Sequence, residues 1–364
     1  MAAMQALVLR EWGGRLEPVE LPIPHPGSGE VLLRVSVCGV GETLNNMRSG
    51  RNASMPGASL PRVIGHEVAG SIVEVGPGVE GLSEGQRVYV YMYLTCGRCD
   101  ACRWGHDPLC VSLRGIVGLA SDGGFAEYMV VPAANVGPLP DEVTDLDACV
   151  AVDAVATPWH ALRGVARLDP THTLVVVGAG GGVGVHAVKI GKLLGATVIG
   201  VEVTDEKLNF AFEQGADSVV DGRAAWRGAL ADLSHGRGAD VVLDYVSSAS
   251  TLQEGFAALA PEGKLIVQGV NPQGDDFRVE PRSFIHRQLS VCGSRYASRR
   301  EVAESIDLVR RGLISPAVTR SAPLREAERL FDLLAERTLL GRAALIVDES
   351  NSGATRTGSG GRNC

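Results

Sequence analysis

Cys96, Cys99, Cys102 and Cys110 fall within fifteen residues in the pattern C-x2-C-x2-C-x7-C. Gaps of two residues let a short loop wrap a tetrahedral ion, and four thiolates leave no coordination position open. The pattern therefore predicts a structural zinc. Disulfides are the competing use, but half of the chain's eight cysteines are crowded here inside a large acidic chain, which favours metal. A second constellation runs from Leu174 to Glu202, LVVVGAGGGVGVHAVKIGKLLGATVIGVE. The apolar run Leu174 to Val177 suits a strand covered on both faces, and Val183, Ala187, Ile190 and Leu194 recur at helical spacing. Between them Gly178, Gly180, Gly181, Gly182, Val183 and Gly184 join the strand end to the helix start. Glycines there let backbone approach a pyrophosphate, and the free N–H groups of the helix start point at it. Glu202 lies eighteen residues beyond Gly184, at the end of a second strand, where a carboxylate accepts from the adenosine ribose hydroxyls. A carboxylate there repels a 2′-phosphate, so the expected cofactor is NAD(H).

The surrounding elements must position these groups. At 364 residues the chain is expected to divide into two domains. With 45% hydrophobic and 21% charged residues it reads as globular. A net charge of −8 gives no footprint for nucleic acid, and no apolar run reaches a membrane span. Nothing at the N-terminus resembles a secretory signal, so the expectation is a cytoplasmic protein with a small-molecule partner and neither nucleic acid nor membrane. Residues 7 to 37 and Leu60 to Val75 read as short strands with turns, an all-β beginning. Asp145 to Gly164 turns helical. After Glu202, helices and strands alternate as far as Leu289 to Cys292, predicting a doubly wound parallel sheet of about six strands. Two amphipathic helices, Arg299 to Arg311 and Arg325 to Glu336, and a strand Ala343 to Val347 follow. The polar, glycine-rich 349–364 reads as a disordered tail.

A β-rich start carrying Gly65-His66-Glu67, a four-cysteine lobe, the glycine fingerprint and a C-terminal return together resemble the medium-chain, zinc-containing alcohol dehydrogenase family over about residues 4 to 348. The resemblance implies an α/β fold: an irregular β-rich GroES-like catalytic domain at 1–157 with its zinc lobe at 94–112, a doubly wound Rossmann cofactor domain at 158–293, and a return to the catalytic domain at 294–348. It implies a homodimer or homotetramer formed through the Rossmann sheets. It also implies cofactor contacts from Thr157 behind the nicotinamide, from Arg342 to the pyrophosphate, and from Lys207 and Gly269.

The resemblance further implies a catalytic zinc that polarises the substrate oxygen, and here the sequence departs from the pattern. The family's cysteine ligand in a stretch like CGVCHTD falls on Gly41 of Cys38-Gly39-Val40-Gly41-Glu42-Thr43-Leu44. The aspartate that steadies the histidine ligand is Leu44, and the proton-relay histidine falls on Asn45 or Asn46. Thr43, His66, Glu67 and Asp153 match. Loss of a thiolate with its supporting carboxylate should weaken metal binding beyond the roughly 10- to 100-fold of a supporting change alone. Three readings of His66 stay open: a weakened zinc site with Asp153 and Glu67 or Glu42, a metal-free donor or acid, or a leftover histidine in the cleft wall. Cys38 reads as core. Tyr93, Trp104, Trp159 and His160 read as packing before cleft lining. Three functions follow as expectations: an NAD(H)-dependent dehydrogenase acting on an alcohol or carbonyl, a zinc-independent reductase of an activated C=C or C=N bond, and a dinucleotide-binding protein without catalysis.

Overall fold

The computed structural model describes residues 2–270 and 276–348, so the expected tail at 349–364 lies outside the described residues. Strand Thr173–Val177 is the centre of the second half. Leu174 and Val176 pack into one hydrophobic cluster while Val175 and Val177 pack into another. That two-sided burial explains why the run is uniformly apolar rather than alternating. Its parallel neighbours Thr197–Glu202 and Ala239–Asp244 divide their side chains in the same way, Val198 and Val241 to one side, Ile199 and Val242 to the other. The full six-stranded order is Ser218–Asp221, Thr197–Glu202, Thr173–Val177, Ala239–Asp244, Leu259–Val267, Ser290–Gly293. The order reverses beside Thr173–Val177, which opens a crevice at the carboxyl ends of the strands.

The first half is antiparallel. Strand Glu30–Val40 pairs with Val68–Val75 on one side and with Arg342–Ile346 on the other, and Tyr128–Pro132 adds to it. The chain's last described strand therefore joins the sheet of Glu30–Val40, with Ala343 opposite Val40 and Leu345 opposite Cys38, while the first strand Ala3–Leu9 lies in a separate three-stranded sheet. Strand Val318–Pro323 lies beside Arg342–Ile346 at the sheet's end. That strand, helix Glu42–Arg48 and helix Pro281–Arg287 were not foreseen. All three are short, and the apolar period of a seven-residue helix such as Glu42–Arg48, with two buried residues, Leu44 and Met47, is too brief to register.

The two halves meet along one long helical segment. Helix Asp145–Val150 starts on a Thr144 cap that accepts from the Asp147 N–H, then passes through π-helical turns at Ala151–Val155 and His160–Ala166. Single π-turns re-aim side chains inside an otherwise regular helix, and Asp153 sits in the first of them. Helix Arg299–Arg310 packs across this segment. Its capping box joins Ser298 and Glu301, while Glu301 also pairs with His160 Nδ1 at 2.8 Å and Glu304 accepts from Trp159 Nε1 at 2.8 Å. Tyr93 meets Tyr91 and Tyr296 edge-on nearby, with the Tyr296 hydroxyl donating to the Val152 carbonyl at 2.6 Å. Tyr93, Trp159 and His160 are thus packing residues, as read from sequence, and Trp104 is 74% exposed on the cysteine lobe. Among the described residues no helix is long and apolar enough to cross a membrane.

Partial burial pushes the Glu301 carboxyl up, but pairing with His160 and hydrogen bonds from Ser298 outweigh it and hold it at about 2. Because the folded value is depressed, its stabilisation is complete above the unfolded value and is lost as pH falls from about 4.3 through 2. Glu301→Gln keeps the capping geometry and removes the charge. It should lower stability at pH 7 by about 1–2 kcal/mol, with the gap to the parent closing in urea titrations as pH falls through that window.

Candidate active site

The cleft is built where the strand Glu30–Val40 ends, the chain crosses between Arg62–Val63 and Val68–Val75, and Arg342–Ile346 begins. Gly65 holds φ +110°, and a Cβ there would collide with Phe125 and with the Cys38 sulfur, so the turn delivering His66 and Glu67 requires glycine. The Gly39 N–H donates to the Glu67 carbonyl at 2.8 Å and fixes the turn against the sheet. Cys38 is fully buried in the core.

His66, Glu67 and Asp153 converge. One ligand atom from each lies within 4.8 Å of the others, and all three residues are buried. His66 Nε2 stands 3.7 Å from Glu67 Oε1 and 3.6 Å from Asp153 Oδ2, and neither ring nitrogen has a hydrogen-bond partner. Thr157, one turn along the helix, donates to Asp153 Oδ1 at 2.8 Å. Burial pushes Asp153 up, but His66, Arg342 and Thr157 outweigh it and hold the carboxyl well below its ordinary value. Glu67 goes the other way: burial raises it against the opposing charge of Arg342, and the charge of Asp153 adds to the rise. Thr43 is half-buried on helix Glu42–Arg48, two residues after the Gly41 cap.

Arg342 is 3% exposed, so it is no surface arginine. Its Nε donates to Glu67 Oε2 at 3.1 Å, and its Nη2 donates both to Glu67 Oε1 and to Asp153 Oδ2, the latter at 3.0 Å. The family resemblance assigned this side chain to a pyrophosphate; in the structure its hydrogen bonds go to the carboxylates, and its Nη1 side faces Gly182. A Cβ on Gly41 would land on the Cζ and Nη1 atoms of Arg342.

The dinucleotide fingerprint stands next to this cluster. Gly181, Gly182 and Val183 are partly open to solvent ahead of helix Gly184–Leu193, while Gly178 takes φ +83° at the strand end. Side chains on Gly180 or Gly184 would strike Lys207 or the Gly178 carbonyl, and one on Gly269 would strike the Tyr245 carbonyl, so the cradle exists only with glycines. The residues present fit a dinucleotide phosphate. Glu202, 6% exposed, accepts from the Gly180 N–H at 2.9 Å and holds the loop in shape from the end of its strand. Lys207 lies in the first turn of helix Asp205–Glu213, its Cα and Cβ packed on Gly180.

Three participants carried no motif. His186 accepts from the Ala317 N–H at its Nε2 (2.9 Å), so its Nδ1 carries the proton and donates to the Gly182 carbonyl (2.8 Å). It staples the fingerprint loop to the returning segment as a neutral ring, burial holding it down at about 3. The Tyr245 hydroxyl is buried without a partner, and Gln268 Nε2 donates to Ser294 Oγ at 3.1 Å while its Oε1 is unpartnered. Both directly follow the carboxyl ends of parallel strands, the place where open α/β sheets bind ligands, and that position is the signal that points to them.

In the cysteine lobe the Cys99 sulfur lies 3.5 Å from that of Cys102 and 3.9 Å from that of Cys110, and the Cys96 and Cys102 sulfurs are 4.0 Å apart. Those separations match four thiolates around one ion about 2.3 Å from each. Backbone N–H groups of Arg98 and Cys99 hold the Cys96 thiol at about 6, while burial and the neighbouring sulfurs push Cys102 up to about 12. Four thiols this close cannot all ionise without a cation among them, so the lobe fits zinc.

Two family descriptions match the chain: an alcohol dehydrogenase GroES-like domain over residues 27–141 and a zinc-binding dehydrogenase over residues 182–311. An NAD-dependent alcohol dehydrogenase of Saccharolobus solfataricus is 35% identical over 94% of this chain and all of its own length. An acryloyl-coenzyme A reductase of Metallosphaera sedula is 29% identical over 94% of this chain and all of its own. A cobalt- and zinc-bound thermostable alcohol dehydrogenase from Pyrobaculum aerophilum superposes with a TM-score of 0.84 at 30% identity, covering 95% of this chain and all of that one.

Cys99→Ser should release the lobe's zinc, measured with a colorimetric chelator after denaturation, and lower the midpoint of thermal unfolding. A variant that keeps both its metal and its melting temperature would exclude the four-thiolate site.

Proposed function

The chain belongs to the medium-chain, zinc-containing alcohol dehydrogenase family, and from that premise we propose that it transfers hydride between NAD(H) and the carbonyl carbon of a small alcohol or carbonyl substrate in the cytoplasm. The observation that carries the reading is adjacency. The phosphate cradle at Gly178 to Gly184 and the polar cluster of His66, Glu67 and Asp153 stand on either side of one side chain, Arg342. Bound NADH supplies the hydride. The chain's own groups bind and orient: the glycine loop and the N-terminus of helix Gly184–Leu193 receive the pyrophosphate, Glu202 the adenosine ribose, and Thr157 with Gly269 and Lys207 the rest of the cofactor wall. His66 supplies the proton to the substrate oxygen from Nε2, the nitrogen 3.6 Å from Asp153 Oδ2, and Thr43 relays its replacement from solvent. Thr157 keeps Asp153 aimed.

Gly41 supports a second reading. A glycine in place of a thiolate favours acceptors that carry their own electron sink, an activated C=C or C=N bond, because such a substrate needs a hydrogen-bond donor rather than a Lewis acid. NADH oxidation measured against a panel of ketones and aldehydes and a panel of enones and imines separates the two. Turnover confined to enones or imines selects the second, and no turnover with either leaves only dinucleotide binding. The edge strand Ser290–Gly293 is the surface through which we assign the homodimer or homotetramer.

Glu202→Ala should weaken NADH binding about 10-fold or more, the scale of a lost hydrogen bond to a charged group, and narrow its advantage over NADPH. Fluorescence titration with both cofactors reads the ratio, and an unchanged ratio removes Glu202 from ribose recognition.

A further inference from the structure

We propose that the guanidinium of Arg342 is the permanent cation of the catalytic cleft, that it excludes a divalent ion from His66, Glu67 and Asp153, and that the chain's zinc is confined to the cysteine lobe. The donor set is incomplete to begin with, since Gly41 offers no ligand atom where the family carries a cysteine. The carboxylates that remain are already engaged. The two carboxylate oxygens that face His66 Nε2, Glu67 Oε1 and Asp153 Oδ2, are the two that receive Arg342 Nη2. Glu67 Oε2 takes Arg342 Nε, and Asp153 Oδ1 takes Thr157. An ion bound by His66 and the two carboxylates would have to share those oxygens with a guanidinium in direct contact with them. Like charges at that separation in a buried site repel strongly. The residues present do not fit a catalytic zinc.

Gly41 and Arg342 form a coupled pair. The guanidinium lies where the first side-chain atom of residue 41 would stand, so a side chain at 41 and an arginine pointing inward are mutually exclusive. The backbone brings them together through the Ala343–Val40 pairing, which puts Arg342 one step further along beside Gly41. Glycine at 41 therefore does two things at once: it removes a metal ligand and makes room for the cation that replaces the metal. Arg342 acts through the carboxylates as a positioning residue. It holds the two carboxylates in place and leaves both His66 ring nitrogens without a hydrogen-bond partner.

The test counts metal and does not depend on turnover, so it can fail independently of the hydride-transfer reading. The full-length protein, purified without chelator and dialysed against zinc, should carry about one zinc per chain, and the Gly41→Cys/Arg342→Ala double variant about two. After exchange with cobalt, the double variant should gain a second set of visible bands from a mixed thiolate–imidazole site that the parent lacks, with the four-thiolate bands of the lobe unchanged in both. About two zinc per chain in the parent overturns the proposal, and that measurement needs no variant to fold. One zinc in the parent and still one in a double variant that retains the parent's circular dichroism and lobe bands overturns the claim that Arg342 is what keeps the ion out.

Discussion

The buried pairing of Arg342 with Glu67 and Asp153 is the constraint on which the site depends. Three charged side chains, all nearly inaccessible to water, stand together, and each would be strongly unfavourable there alone. Their mutual satisfaction ties three separate stretches of chain: the turn after Arg62–Val63, the π-turn at Ala151–Val155 and the start of the final strand. Hydrogen bonds to charged partners are also directional, so the triad fixes rotamers as well as elements.

Around that triad the cofactor loop is held from three sides. Glu202 ties Gly180 from the second strand, His186 ties Gly182 to the returning segment, and the Gly341 N–H donates to the Gly180 carbonyl. The phosphate cradle is thus fastened to the same segment that carries Arg342. Binding at the loop and arrangement at the carboxylates are mechanically joined through two residues, Gly341 and Arg342. This is the physical content of calling the cleft one site rather than two.

The fingerprint, the six-stranded parallel sheet and the cysteine lobe were legible in the sequence because each is encoded locally. A short apolar run, a glycine string, an acid at the right remove and two-residue cysteine gaps need no knowledge of distant partners. The fate of Arg342 was not legible. It turns on a strand pairing between residues about three hundred apart and on a missing Cβ at Gly41, and neither leaves a trace in the surrounding Leu-Gly-Arg. The π-turns that aim Asp153 escape for a related reason, since one extra residue in a helical turn does not disturb an apolar pattern already buried on every side. Helix Glu42–Arg48, which carries Thr43, was hidden by its brevity.

The final strand's place in the first sheet also dictates an order of events during synthesis. Glu67 leaves the ribosome 275 residues before the arginine that neutralises it, so the amino-terminal half spends most of translation with a carboxylate that has no buried counter-charge to fold around. The ion pair that closes the cleft therefore cannot form until Arg342 has been made, after the six strands of the parallel sheet.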